Sequence, residues 1–294
     1  MIRIFSVAGL AALLAGGVQS PSSPSPTRPA TAAAPQRDFR WSGRLASGER
    51  LQIQNVVGDI RAEPADGDQV TVTGIRRGRG AEDVRIEVVR RRDAVVICAL
   101  WPSDWSDDGY RGRRSRDDDD DDDFDGDARD ACNGSRNVHR EHNDASVDFV
   151  VRVPAGVRLV ARTVAGEVVA RGLRGPVNAA SVSGDVRVAT SGPAQASSVS
   201  GNVDVSMGRM GSEPLAFHSV SGDVSIEVPA GFDADFHART LSGSINSDFP
   251  LEVESERHGP YRVRIGREAH GTIGRGGRTL SVTTVSGDVE IRRR

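Results

Sequence analysis

Four stretches of the chain alternate apolar and polar residues: Leu51-Gln52-Ile53-Gln54-Asn55-Val56, Val70-Thr71-Val72-Thr73, Val84-Arg85-Ile86-Glu87-Val88 and Val147-Asp148-Phe149-Val150-Val151-Arg152-Val153. A period of two is the pattern of a strand with one buried face. Past the N-terminal segment no stretch carries a helical stripe, so the pattern predicts strands nearly everywhere outside one insertion. Between Thr163 and Ile291 a short phrase then occurs six times: a hydroxyl residue, Val or Leu, Ser or Ala, Gly, a polar or acidic residue, and Val or Ile. Its glycines are Gly166, Gly184, Gly201, Gly222, Gly243 and Gly287, spaced by 18, 17, 21, 21 and 44 residues. A period near 20 marks a stacked repeat protein, with 44 close to two periods. Val57-Gly58-Asp59-Ile60 is a looser copy.

The phrase reads as a corner. Glycine supplies a backbone conformation that strains other residues, and the neighbouring Ser and Asp can bond the turn amides. Alternation counted across the corner predicts Val182, Val186 and Val188 inward, with Ser181, Ser183 and Arg187 outward. If copies stack in register, Ser183, Ser200, Ser221, Ser242 and Ser286 form one column. The residue after Gly forms another: Glu167, Asp185, Asn202, Asp223, Ser244 and, beyond one unmarked coil, Asp288. The rival is a meander in which each Gly-Asp is a hairpin turn. Val153-Pro154-Ala155-Gly156 and Val228-Pro229-Ala230-Gly231 predict one strand exit used twice, whereas Phe249 to Gly277 loses the phrase.

Composition narrows the class. Hydrophobic residues make up 37% of the chain but aromatics only 4%, so the core is predicted to be thin and built from Val, Ile, Leu and Ala, as suits a solenoid. All 38 basic residues are Arg, which leaves no lysine chemistry. Residues 1–20 read as a signal peptide, with Arg3 before an apolar run from Ile4 to Leu14 and then Ala15, Gly16 and Gly17. Residues 21–37, rich in Pro, Ser and Ala, read as a flexible linker, and 38–294 as one β-solenoid domain. An exported chain with two cysteines favours a Cys98–Cys132 disulfide, which would stabilise by roughly 3 to 4 kcal/mol. Within an insertion at 103–145, Ser103 to Asp130 holds 13 Asp against 5 Arg, a formal charge of −8 where the whole chain carries −3. Such a block is expected to be a solvated, disordered loop.

The phrases Ser181 to Val188, Ser219 to Val228 and Thr284 to Ile291 (SVSGDVRV, SVSGDVSIEV, TVSGDVEI) resemble the bacterial putative-adhesin family of β-strand-repeat proteins, a domain of unknown function. The resemblance covers Val147 to Ile291. It implies a right-handed parallel β-solenoid at the cell envelope with no established enzymatic activity, and it supplies no catalytic residues.

Candidate chemistry is sparse. Asp121-Asp122-Asp123-Phe124-Asp125-Gly126 matches the first half of a calcium loop, yet Cys132 stands where a bidentate Glu is wanted, so it reads as a solvated charge run. His139 and His142 with Glu141 and Asp144 complete no recognisable site. No nucleophile elbow, zinc-helix motif or phosphate loop is present, so no metal, cofactor or catalytic residue is expected. An exported compartment argues against nucleic acid, and an uncleaved N-terminus would tie the chain to a membrane. The expected role is an adhesin-like surface for envelope polysaccharide or another envelope protein. The alternatives are an envelope-stress or structural accessory protein and, with less support, a polysaccharide-degrading β-helix enzyme. Residues before Cys98 are expected to cap one end of the stack, and Arg292, Arg293 and Arg294 to form a charged edge at the other.

Overall fold

A computed structural model describes residues 38–101, 144–254, 257–258, 263–264 and 266–294. The signal and linker segments, most of the acidic insertion, Cys132, the calcium-loop match, His139, Glu141 and His142 lie outside them. Strands β1 (Phe39–Arg44), β2 (Arg50–Gln54), β3 (Ile60–Pro64) and β4 (Gln69–Arg77) lead through a 3-10 turn at Ala81–Asp83 to β5 (Arg85–Arg90) and β6 (Ala94–Leu100). Next come β7 (Ser146–Val153), β8 (Arg158–Ala165), β9 (Val168–Leu173), β10 (Val177–Ser183), β11 (Val186–Thr190), β12 (Ala194–Ser200) and β13 (Val203–Met207). The chain continues through β14 (Leu215–Ser221), β15 (Val224–Val228), β16 (Ala234–Ser242), β17 (Ile245–Ser247), β18 (Glu252–Glu254), β19 (Arg257–His258) and β20 (Val263–Arg264). It ends with β21 (Arg267–Ile273), β22 (Thr279–Ser286) and β23 (Val289–Arg293).

The strands build a ten-stranded and an eleven-stranded sheet, both mostly parallel, an arrangement consistent with a β-solenoid. Each coil runs one strand in the eleven-stranded sheet, turns at its glycine, and runs the next in the ten-stranded sheet. β8, β10, β12 and β14 stack in register in the first, and β9, β11, β13 and β15 in the second. Equivalent positions therefore pair: Ser181 lies beside Thr163 and Ser198, and Val186 beside Val168 and Val203. Parallel pairing rules out the hairpin meander, whose neighbouring strands would run antiparallel. The core between the sheets is one continuous cluster. Its middle coils contribute small residues such as Ala161, Ala170, Ala179 and Ala196, with rings at Phe149 towards one end and Phe217 and Phe236 towards the other. The two Val-Pro-Ala-Gly exits share a conformation, with Gly156 at φ 82° and Gly231 at φ 83°.

Both ends break the simple order. The β2–β3 coil lies between β6–β7 and β8–β9, so the first three coils stack out of sequence. At the far end β22–β23 slots between β14–β15 and β16–β17. This corrects the expected column order: Asp288 lies between Asp223 and Ser244, with no unmarked coil before it. The crossing is fastened at the start of β16. Asp233 accepts from the backbone N of Arg275 and pairs with its guanidinium at 2.8 Å, and Asp235 accepts from Gly277 N. These contacts carry residues 274–278 across to the opposite side of β16.

Antiparallel strands close the stack. β1 and β4 border the ten-stranded sheet and β5 the eleven-stranded one, all before Cys98, as expected of a cap. At the other end the edges are β17 and β18, with β21 antiparallel to β16, in the stretch where the phrase is lost. Of the expected charged edge at Arg292–Arg294, Arg292 and Arg293 pair with β15 on one side only, whereas β17 covers β23 on the other side over Val289–Ile291.

Candidate binding surface

The six glycine corners stack on one another, and they specify what the surface presents. Gly184 has φ 147°, and a Cβ there would collide with the carbonyl oxygen of Gly166 in the coil before. Gly201, Gly222 and Gly287 meet Gly184, Gly201 and Gly222 in the same way, and Gly243 meets Gly287. Coils 4.8 Å apart leave no room for a side chain that points along the stack. Glycine is thus required by close approach as well as by backbone conformation.

The first residue of each phrase points inward, which reverses the sequence expectation. Thr163, Ser181, Ser198, Ser219, Thr240 and Thr284 are 0–4% exposed. Each donates its hydroxyl to a glycine carbonyl of the adjoining coil at 2.9 to 3.2 Å: Gly58, Gly166, Gly184, Gly201, Gly287 and Gly222 respectively. A buried hydroxyl needs such a partner. In the β2–β3 coil Asn55 takes this place, donating to Gly58 O and Val147 O. The following Val or Leu, expected inside, stands outside: Val164, Val182, Val199, Val220, Leu241 and Val285 are 43–52% exposed. The reason lies in the count. Alternation along β10 runs inward through Val177, Ala179 and Ser181, so Val182 falls on the outer edge; Ser183 ends the strand, Gly184 turns the chain, and Val186 restarts the inward set.

The residue after each glycine forms the predicted column, and its side chains do structural work. Asp59 accepts from Glu167 N, Asp185 from Asn202 N, Asn202 from Asp223 N, Asp223 from Asp288 N and Asp288 from Ser244 N, all at 2.7 to 2.9 Å. Asp148 extends the run by accepting from Asp59 N at 3.0 Å. Each of these accepting side chains thereby satisfies a backbone amide of the adjoining coil with one oxygen. Repulsion along the column is offset by arginines two residues on: Arg61 pairs with Asp59 at 2.8 Å, and Arg187 with Asp185 at 2.7 Å and with Glu167. Asp204, 3.5 Å from Arg187, has its pKa raised, first by burial and then by Asp185, Asp223 and Glu227, against the lowering pull of Arg187.

The outer corner therefore carries two parallel bands, one of Val and Leu and one of exposed serines at 183, 200, 221, 286 and 242 in stacking order. The serine band is the predicted column with its last two members exchanged. The valine band was legible only in part: the six-fold recurrence marks it, but its direction depends on where the strand bends. Inward Ser and Thr hydroxyls are committed to backbone carbonyls, so they are bonded structural groups with no base beside them to make them nucleophiles. Cys98 is buried in β6 and disulfide-bonded; Cys132 lies outside the described residues. Asp144 pairs with Arg79 at 3.1 Å. Among the described residues no group of three or more His, Cys, Asp or Glu could hold a metal ion.

No curated protein matches the chain. Among solved structures it is similar to a putative cell adhesion protein from Clostridium sporogenes ATCC 15579, at 10% identity, covering 88% of this chain and 100% of that one with a TM-score of 0.42. It is also similar to a putative adhesin from Bacteroides fragilis NCTC 9343, at 11% identity over 87% of this chain and 97% of that one, TM-score 0.35. A putative adhesin from Parabacteroides distasonis ATCC 8503 shares 11% identity over 87% and 97%, TM-score 0.24. The family described as Toastrack DUF4097, a domain of unknown function, matches residues 165–292, the segment that holds all six corner glycines, and so bears out the resemblance carried by the repeated Ser-Gly-Asp phrase.

Proposed function

We propose that this chain is an exported, envelope-associated, non-catalytic module of adhesin type, and that its outer corner is the surface it presents to envelope polysaccharide or to another envelope protein. The observation that carries the reading is the pair of in-register bands. Six half-exposed aliphatic side chains, one per coil, stand beside a row of hydroxyls on a backbone locked by buried hydrogen bonds. Apolar groups kept outside in a repeating row mark an interaction surface more than scattered ones do. A rigid row offers a repeating partner many weak contacts at once, and their sum exceeds any one of them. The solenoid period near 20 residues and a right-handed winding belong to this reading; parallel crossovers within a sheet are right-handed because strand twist favours that path.

The test is retention of the purified chain on cell-wall and envelope material, comparing wild type with a triple variant Val182→Asp, Val199→Asp and Val220→Asp. These side chains lie outside the core, so folding should survive, which circular dichroism checks. Retention of wild type with at least tenfold loss in the variant is expected. Equal retention of both would reject the corner as the contact surface, and product release from a glycan panel would reject the non-catalytic reading.

A further inference from the structure

A second surface lies away from the corner, on the outward face of the eleven-stranded sheet near the starts of its strands. There a cleft of about 380 Å³ crosses β2, β8, β10, β12 and β14. Its floor is one register column with one residue per coil: Gln52 beside Val160, Val160 beside Asn178, Asn178 beside Gln195. One wall is the loop between β13 and β14. Residues 208–214 fill that connection, where 191–193 suffice between β11 and β12, and the longer path accounts for the wider spacing from Gly201 to Gly222. The wall is pinned to the floor: Asn178 Nδ2 donates to Gln195 Oε1 at 3.0 Å, and Gln195 Nε2 donates to Pro214 O at 3.2 Å. That arrangement leaves Asn178 Oδ1 to accept from a ligand hydroxyl.

Charge in the cleft is one-sided. Among the described residues Arg50, Arg158, Arg162 and Arg209 line it with one carboxylate, Glu213, and of these arginines Arg50 and Arg209 are the two the inference uses. Arg50 Nε is buried with no hydrogen-bond partner, a state that costs free energy unless something supplies an acceptor. Gln52, 2% exposed, places an amide in the floor beside it. Val160 and Met210 add apolar contact, and among the described lining residues there is no aromatic ring. A volume of this size is at the small end of ligand sites. It suits one or two rings of a compact polar ligand and is too short for an acyl chain with its headgroup.

We infer that this cleft binds the carboxylate-bearing units of an acidic glycan, with Arg50 and Arg209 holding the carboxylate and the Gln52–Asn178 floor taking the hydroxyls. Guanidinium and carboxylate pair through two parallel hydrogen bonds, which gives the charge a direction as well as an attraction. The inference deepens the proposed function by naming a ligand class, and it uses residues that the corner does not, so either can stand alone.

Calorimetry with digalacturonate and trigalacturonate, against neutral galactobiose and vesicles containing phosphatidylglycerol, tests it on the full chain. The acidic sugars should bind at millimolar affinity or better, weaken as salt rises, and bind at least tenfold more weakly to Arg50→Gln and to Arg209→Gln, the latter on an exposed loop. The corner variant should bind them as wild type does, and galactobiose should not bind. Absence of galacturonate binding, equal binding of the neutral sugar, or vesicle binding that Arg50→Gln alone abolishes would overturn the inference while leaving the corner reading to its own assay.

Discussion

The middle coils and the ends of this stack solve different problems with the same strands. From β8 to β13 each coil has a neighbour on both sides, is followed in the stack by its successor in sequence, and fills a narrow core with Ala, Val and Leu and, in β13, Met207. At the ends a coil has one such neighbour, the order of coils departs from the order of the chain, and Phe149 and Phe236 appear in the core together with antiparallel strands. Repetition is cheap where every layer is covered by its own copy. Termination needs bulk, a change of direction and a locked crossing, because an open edge would pair with another chain.

The sharpest way to break the middle is Gly184→Val. Its Cβ would strike the Gly166 carbonyl in a backbone conformation that β-branched residues avoid. The expected cost exceeds about 4 kcal/mol, enough to lose the fold or its cooperative melting. Gly231→Ala, towards the end, is the control. With open space around it and φ 83°, only conformational strain applies, at about 1 kcal/mol. Equal melting temperatures for the two variants would show that coils are not held in close backbone contact.

Phe236→Ala tests the ends. This fully buried ring lies beside Leu280 of the intercalated coil, and its loss should cost about 3 to 5 kcal/mol in chemical denaturation. A smaller effect than that of Val188→Ala, in the middle, would argue that the ends contribute little to stability.

Ser198→Ala removes one buried donor and leaves the Gly184 carbonyl short of a partner. The expected loss is about 1 to 2 kcal/mol. Val199→Ala, next to it and half-exposed, should change stability by less than about 0.5 kcal/mol. The reverse ranking would mean that the hydroxyl is outside after all.

The smallest effect is electrostatic. The Asp204 carboxyl has a folded pKa above its unfolded value, with burial the first cause. Its ionised form is therefore the one that folding disfavours, a cost present above the folded pKa and relieved as pH falls through it towards the unfolded value. Asp204→Asn should be slightly more stable than wild type at pH 7, with the difference vanishing near pH 3. A variant less stable than wild type at pH 7, with that deficit fading on acidification, would instead give the Arg187 contact the larger share.

The strands, the corners and their recurrence could be read directly, because they depend on local alternation and on glycine at fixed intervals. So could the column after each glycine, since stacking in register makes equivalent residues neighbours. Two features could not. Ser181 and Val182 exchange faces because the period of two counted back from Val186 does not run through the corner, whereas along β10 the inward set is Val177, Ala179 and Ser181. Similarly, Asp288 joins Asp223 because 44 residues are enough to travel out, run antiparallel as β21, and return on the other side of β16. The cationic cleft was hidden for the same reason: Gln52, Val160, Asn178 and Gln195 are far apart in the chain and become a floor only when coils stack.

What the sequence determined by itself is a repeating strand and corner with small apolar cores, because those follow from periodicity, glycine and side-chain size. Which face each side chain takes, which coil lies beside which, and how the stack is closed were decided by tertiary structure. They depend on backbone approach between coils and on hydrogen bonds such as Ser198 to Gly184 and Asp233 to Arg275, which exist only once distant segments meet.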